Sequence, residues 1–135
     1  MEQLSILTTP RRRTGSGRLT RNSKLFKTVI NAIQEKKGEK IISLDLRKIP
    51  EAVADFFIVC EAASSTQVKA IAEFVEFQTK NVADEIPYRT EGMQSGQWVL
   101  VDYVNLVVHI MQPEVRRFYK LEEMWSDSDG EEHDL

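Results

Sequence analysis

Residues 97 to 111, QWVLVDYVNLVVHIM, constrain the fold more than any other stretch, because two apolar runs of strand length are separated by only two residues. So short a link joins antiparallel neighbours in a hairpin. With Gln97 to Tyr103 and Leu106 to Met111 as strands and Val104-Asn105 as the turn, Tyr103 faces Leu106, Asp102 faces Val107, Leu100 faces His109 and Trp98 faces Met111. Alternation then collects Val99, Val101, Tyr103, Leu106, Val108 and Ile110 on one side, an apolar set fit for a core beneath helices. The other side collects Trp98, Leu100, Asp102, Val107, His109 and Met111. The turn itself is unusual, since Val is disfavoured where positive φ is needed.

The second side has two readings. A large aromatic and a thioether with a few placed polar groups suit the centre of a protein-protein contact. Alternatively, another helix covers the face and Asp102 hydrogen-bonds His109, its diagonal neighbour. Patterning alone leaves both open.

The other elements supply the architecture. From Ser23, read as an N-cap, Leu25, Val29, Ala32 and Ile33 recur at helical spacing, and Gly38 ends that helix. KIISLDLR and DFFIVCEA read as buried strands on either side of a loop with Pro50. A second helix opens on a Ser64-x-x-Gln67 capping box, with Val68, Ile71, Ala72 and Val75 as its core stripe. Phe74 and Phe77 fall on a different side, to be covered by other parts of the chain or by a second copy in a homodimer. A short strand is expected near Tyr88, and Pro113 opens a last helix carrying Val115, Phe118, Tyr119, Leu121 and Trp125. The fold class is therefore α/β or α+β, a mixed sheet flanked by helices.

At 135 residues the chain has room for one domain with a real core. The net charge of -3 hides an asymmetry: residues 1 to 22 hold five arginines against one glutamate, and residues 127 to 135 hold five acids. We read 1 to 22 as a disordered basic tail, 23 to 126 as the domain and 127 to 135 as a disordered acidic tail. A single cysteine, Cys60, leaves no internal disulfide, and no apolar run has the length of a membrane span or a secretory signal. A cytoplasmic location is expected.

Chemical motifs are sparse. Asp45, Asp55 and Asp102 share no spacing that would set two carboxylates on one strand face, so no metal site is expected. His109, His133 and Cys60 do not make a zinc pattern, and Ser64-Ser65 lacks a nucleophile elbow. Nothing requires a cofactor. Nucleic-acid binding has support only in the N-terminal arginines, which could touch RNA weakly.

ADFFIVCEAASSTQVKAIA, then Glu91-Gly92, Trp98, VDY at 101 to 103, VVHIM at 107 to 111 and RRFYKLEEMW at 116 to 125 together resemble the ribosomal silencing factor (RsfS, Iojap) family over about residues 24 to 126. The resemblance implies a nucleotidyltransferase-like fold without known catalysis. It implies binding to large-subunit ribosomal protein fourteen, which blocks joining of the small subunit and represses translation when nutrients are short. It also implies that Trp98, Asp102 and Tyr103 belong to the contact, with His109 and Met111 beside them, and so favours an uncovered face. Two departures stand out: the family commonly has Gly-Asp where this chain has Val104-Asn105, and often has Gly and Arg where Ala62 and Thr66 stand. The alternative function is a magnesium-dependent nucleotidyl or phosphoryl transferase using Asp45 or Asp55.

Overall fold

A computed structural model describes residues 19 to 125 and 128 to 133. In chain order the elements are α1 (Lys24–Glu35), β1 (Glu39–Asp45), β2 (Phe56–Glu61), α2 (Ser65–Ala83), β3 (Arg89–Glu91), β4 (Trp98–Asp102), β5 (Leu106–Met111), α3 (Pro113–Tyr119), α4 (Leu121–Met124) and β6 (Asp129–Glu132). The strands form one sheet in the order β3-β4-β5-β2-β1-β6, with β2 and β5 parallel and every other pair antiparallel. The expected mixed sheet is thus present. Its central pair is apolar along its length, FFIVC beside LVVHIM, because both faces of these strands are covered.

One face packs beneath α1 and α2. Leu25, Phe26, Val29, Ile33, Val68, Ile71 and Val75 meet Phe56, Ile58, Val99, Val101, Val108 and Ile110 there. α2 begins as expected, with the Ser64 hydroxyl accepting the Gln67 backbone N–H at 3.1 Å. Among the described residues no bond returns from the Ser64 N–H to the Gln67 side chain, whose Nε2 donates to the Lys37 carbonyl at 3.4 Å. The hairpin register is as the alternation requires, Trp98 opposite Met111, Leu100 opposite His109 and Asp102 opposite Val107.

At the turn, Val104 takes φ 73°, and the Asn105 N–H returns to the Tyr103 carbonyl at 2.9 Å. This tight three-residue turn is costly for a β-branched side chain. Three bonds hold it: the Asp102 carboxylate accepts the Val104 N–H at 2.7 Å, and the Asn105 carbonyl accepts the N–H groups of Asp55 and Phe56, where the neighbouring strand β2 begins, at 2.9 and 3.1 Å.

Three expectations need correction. The single last helix breaks at Lys120, whose φ of 51° is incompatible with continuing α3. The acidic stretch is not a free tail throughout, because Asp129–Glu132 pairs with β1, Ile42 opposite Glu132 and Asp45 opposite Asp129. Nor is the basic stretch free up to residue 22. Arg21 donates from Nε to the Ser43 hydroxyl at 2.9 Å and from Nη2 to the Asp129 carbonyl at 2.9 Å, and pairs with Glu131 at 3.7 Å. His133 completes this clasp, its Nε2 lying 2.7 Å from the Ser43 hydroxyl while its carbonyl accepts from Gln34. The rest of the two expected tails, residues 1 to 18, 127 and 134 to 135, lies outside the described residues, as does residue 126 at the end of the expected domain.

Candidate partner-binding site

The second face of the sheet carries the residues singled out from the sequence. β4 and β5 present Trp98, Leu100, Val107 and Met111 into one cluster with Phe57 and Val59 of β2. The expectation that this face stands uncovered is overturned, since Trp98, Asp102, His109 and Met111 are 0% exposed. The cover has two parts. Leu46, Ala52, Val53 and Ala54, from the loop between β1 and β2, close one end; Leu121, with Val115, Tyr119 and Trp125, closes the other.

Within this layer Trp98 and His109 are joined directly. The indole N–H donates to His109 Nδ1 at 3.1 Å, which leaves the neutral ring's proton on Nε2. Nε2 is buried and has no hydrogen-bond partner among the described residues. Burial pushes the His109 imidazole down from 6.5 to about 3, so it is neutral at ordinary pH. The expected Asp102–His109 bond is not what holds His109; Trp98 is its partner, and Phe57 packs edge-on at 4.6 Å between ring centres.

Asp102 sits at the strand end towards the sheet edge. Its Oδ1 accepts from Val104, and its Oδ2 lies 3.5 Å from Arg89 Nε on the adjacent strand, a register neighbour. Tyr103 points to the opposite face, as alternation requires, and its hydroxyl meets Thr79 Oγ1 at 2.7 Å under α2. Burial pushes that phenol up to about 12. The structure therefore brings Trp98, His109 and Met111 together, sets Asp102 beside Arg89, and separates Tyr103 from all of them.

Sequence reasoning marked out Phe74 and Phe77 but passed over the aromatics that reach the surface on α3 and near the sheet edge. Tyr119 lies over Trp98 with 4.9 Å between ring centres, and Phe118 packs edge-on against Tyr119 at 4.9 Å. Phe118 is 77% exposed. The adjacent aromatics in RRFYK were the available signal, read there only as a helix stripe. Near the sheet edge, Tyr88 is 69% exposed beside Arg89. On α2, Phe74 and Phe77 stack at 6.4 Å, and Phe77 is 60% exposed.

The carboxylates considered for metal chemistry are engaged elsewhere. Asp45 accepts from Arg47 Nε at 2.9 Å and Nη2 at 2.6 Å, and that hydrogen bonding holds it below the usual carboxylate range. Asp55 is buried and accepts from the Leu19 backbone at 3.4 Å. Among the described residues no three His, Cys, Asp or Glu side chains group as a metal site would require. Cys60 is buried and its thiol is pushed up to about 12 by that burial, so it is inert packing.

Comparison with known families decides what this arrangement belongs to. The model of the family described as "Ribosomal silencing factor during starvation" matches residues 20–135. The chain belongs to the ribosomal silencing factor family. A ribosomal silencing factor RsfS from Halalkalibacterium halodurans is 36% identical over 107 residues, covering 79% of this chain and 90% of that one. A crystal structure of a Chromobacterium violaceum protein superposes with a TM-score of 0.72 at 39% identity, covering 76% of this chain and 83% of its own. The mouse protein named "Mitochondrial assembly of ribosomal large subunit protein 1" is 30% identical over 74 residues, covering 53% of this chain and 32% of its own. The family name denotes regulation of ribosomes rather than an enzymatic activity. Among the described residues no helix is long and apolar enough to cross a membrane.

Proposed function

We propose that this silencing factor docks on large-subunit ribosomal protein fourteen and that its bulk then keeps the small subunit from joining, repressing translation when nutrients are short. The cytoplasm, or an equivalent ribosome-containing compartment, is its place of action. The observation that carries the reading is the aromatic stack rising from the sheet: Trp98 sealed beneath Tyr119, and Phe118 beside it at 77% exposure. A large exposed ring backed by a half-buried tyrosine and, beneath that, a buried tryptophan has the character of an interface anchor. Trp98, His109 and Met111 then act from beneath, fixing the height and tilt of α3. Asp102 and Tyr103 act at the hairpin end, where Asp102 orients Arg89 and the exposed Tyr88 stands alongside.

Sedimentation of purified subunits with the factor in excess tests this. The parent is expected to reduce the full-ribosome peak, and Phe118→Ala to lose about 2 kcal/mol or more of binding. Undiminished ribosome formation with the parent, or full activity in Phe118→Ala, would sink the proposal. A homodimer through Phe74 and Phe77 is compatible with it, and is favoured by the exposed, stacked Phe77 ring. Light scattering on Phe77→Glu beside the parent checks that reading, since equal masses argue against a dimer through α2.

A further inference from the structure

A cavity of about 440 Å³ lies where the start of β1, the end of β2 and α3–α4 meet. Its floor is Arg116, whose guanidinium spends four of its five N–H donors within the fold. Nη1 donates to Glu61 Oε1 at 3.2 Å and to the Lys40 carbonyl at 2.8 Å, while Nε and Nη2 donate to Glu122 Oε2 at 3.1 and 2.9 Å. The Arg116 carbonyl in turn accepts the Lys120 N–H at 3.0 Å. One residue thus pins two bends, the irregularity of β1 at Lys40 and the end of α3 at Lys120.

Both bends are left-handed, Lys40 at φ 50° and Lys120 at φ 51°. Glycine or asparagine takes such a conformation at lower cost than lysine does. Each lysine places its ammonium on the cavity rim, with side chains 74% and 62% exposed. Neither is held tightly. Lys40 Nζ is 4.0 Å from Glu61, which Arg116 already neutralises, and Lys120 Nζ is 3.8 Å from the exposed Glu123. Arg117 also lines the cavity and has no acidic partner among the described residues. Among the described residues that line the cavity, cations outnumber acids four to three, and Lys40, Arg117 and Lys120 face outward unspent or loosely paired.

We propose that Lys40, Arg117 and Lys120 form a phosphate-contact site for the backbone of RNA, beside the aromatic stack and without using its rings. Repeating phosphates suit three long, exposed cations around an open rim, because each contact releases condensed counterions. Among the described residues the one nearly buried donor, Arg116, is already spent on Glu61, Glu122 and the Lys40 carbonyl, and no aromatic ring lines the cavity to stack a base. The contact is accordingly sequence-independent.

Anisotropy of a labelled single-stranded RNA, titrated with the full chain over a salt series, tests the site. The variant K40Q/R117Q/K120Q is expected to bind roughly ten-fold or more weakly at low salt, with the slope of log affinity against log salt smaller by about 2. K120G removes one charge while giving the left-handed position a residue suited to it. It is expected to melt at a higher temperature and yet bind RNA more weakly, a combination that loss of folding cannot produce. Equal affinity and slope for triple variant and parent would overturn the assignment. So would displacement of the RNA by ATP or inorganic phosphate at constant ionic strength, which would make the cleft a site for small phosphates. R11Q/R12Q/R13Q measured in parallel separates the N-terminal arginines, and loss confined to that variant also overturns the proposal.

Discussion

His109 makes stability depend on pH in a range where carboxylates contribute little. In the folded chain its imidazole is fully buried, with Nδ1 taken by the Trp98 indole and the value lowered to about 3, whereas the unfolded ring titrates near 6.5. The folded value is the lower one, so the unfolded state takes up the proton first as pH falls. The stability is complete above 6.5 and is lost progressively between 6.5 and about 3. Between pH 8 and pH 5 the loss through this group is about 2 kcal/mol, since at pH 5 the unfolded ring is almost wholly protonated and the folded one is not. For a domain of this size that corresponds to a fall of roughly 6–10 °C in melting temperature. His109→Gln keeps an acceptor for the indole and does not titrate. Urea unfolding of parent and variant at both pH values isolates the effect, because His133, the only other histidine, is common to both. An equal loss in parent and His109→Gln would refute the argument.

Other expectations follow from the same geometry. Trp98→Ala empties the centre of the covered face and should cost about 3–5 kcal/mol in chemical denaturation, with the near-ultraviolet signal of the Tyr119 stack reduced. Val104→Gly relieves the left-handed turn and should stabilise the chain by about 1 kcal/mol, seen as a higher melting temperature. Arg21→Ala removes the hydrogen bonds to Ser43 and Asp129, so amide exchange at residues 129 to 133 should quicken while that of β2 and β5 stays slow.

The β4–β5 register was legible because alternation is strict on both strands and the link is two residues long, which leaves one pairing that keeps both faces apolar. The same pattern could not tell whether the Trp98 face is covered. Its cover comes from Leu46, Ala52, Val53 and Ala54, in a segment that reads as a loop around Pro50, and from Leu121, Tyr119 and Trp125 beyond a helix break. That break is set by a left-handed lysine, a residue type that carries no signal for such a bend. β6 was illegible for a different reason: DGEE has no apolar side chain, and all four residues are exposed. Its pairing rests on backbone bonds to β1 and on Arg21, which is more than 100 residues away in sequence. The aromatic stack was half visible, since Trp98 was marked out but the ring that reaches the surface, Phe118, was not.

The strand order joins the ends of the described chain, because β6, made last, lies against β1, made first. Throughout synthesis, then, β1 has a bare flank of backbone donors and acceptors, and β2 waits for a neighbour that emerges some fifty residues later. A nascent or clipped chain lacking residues 129 to 132 would expose that flank to any other extended polypeptide nearby.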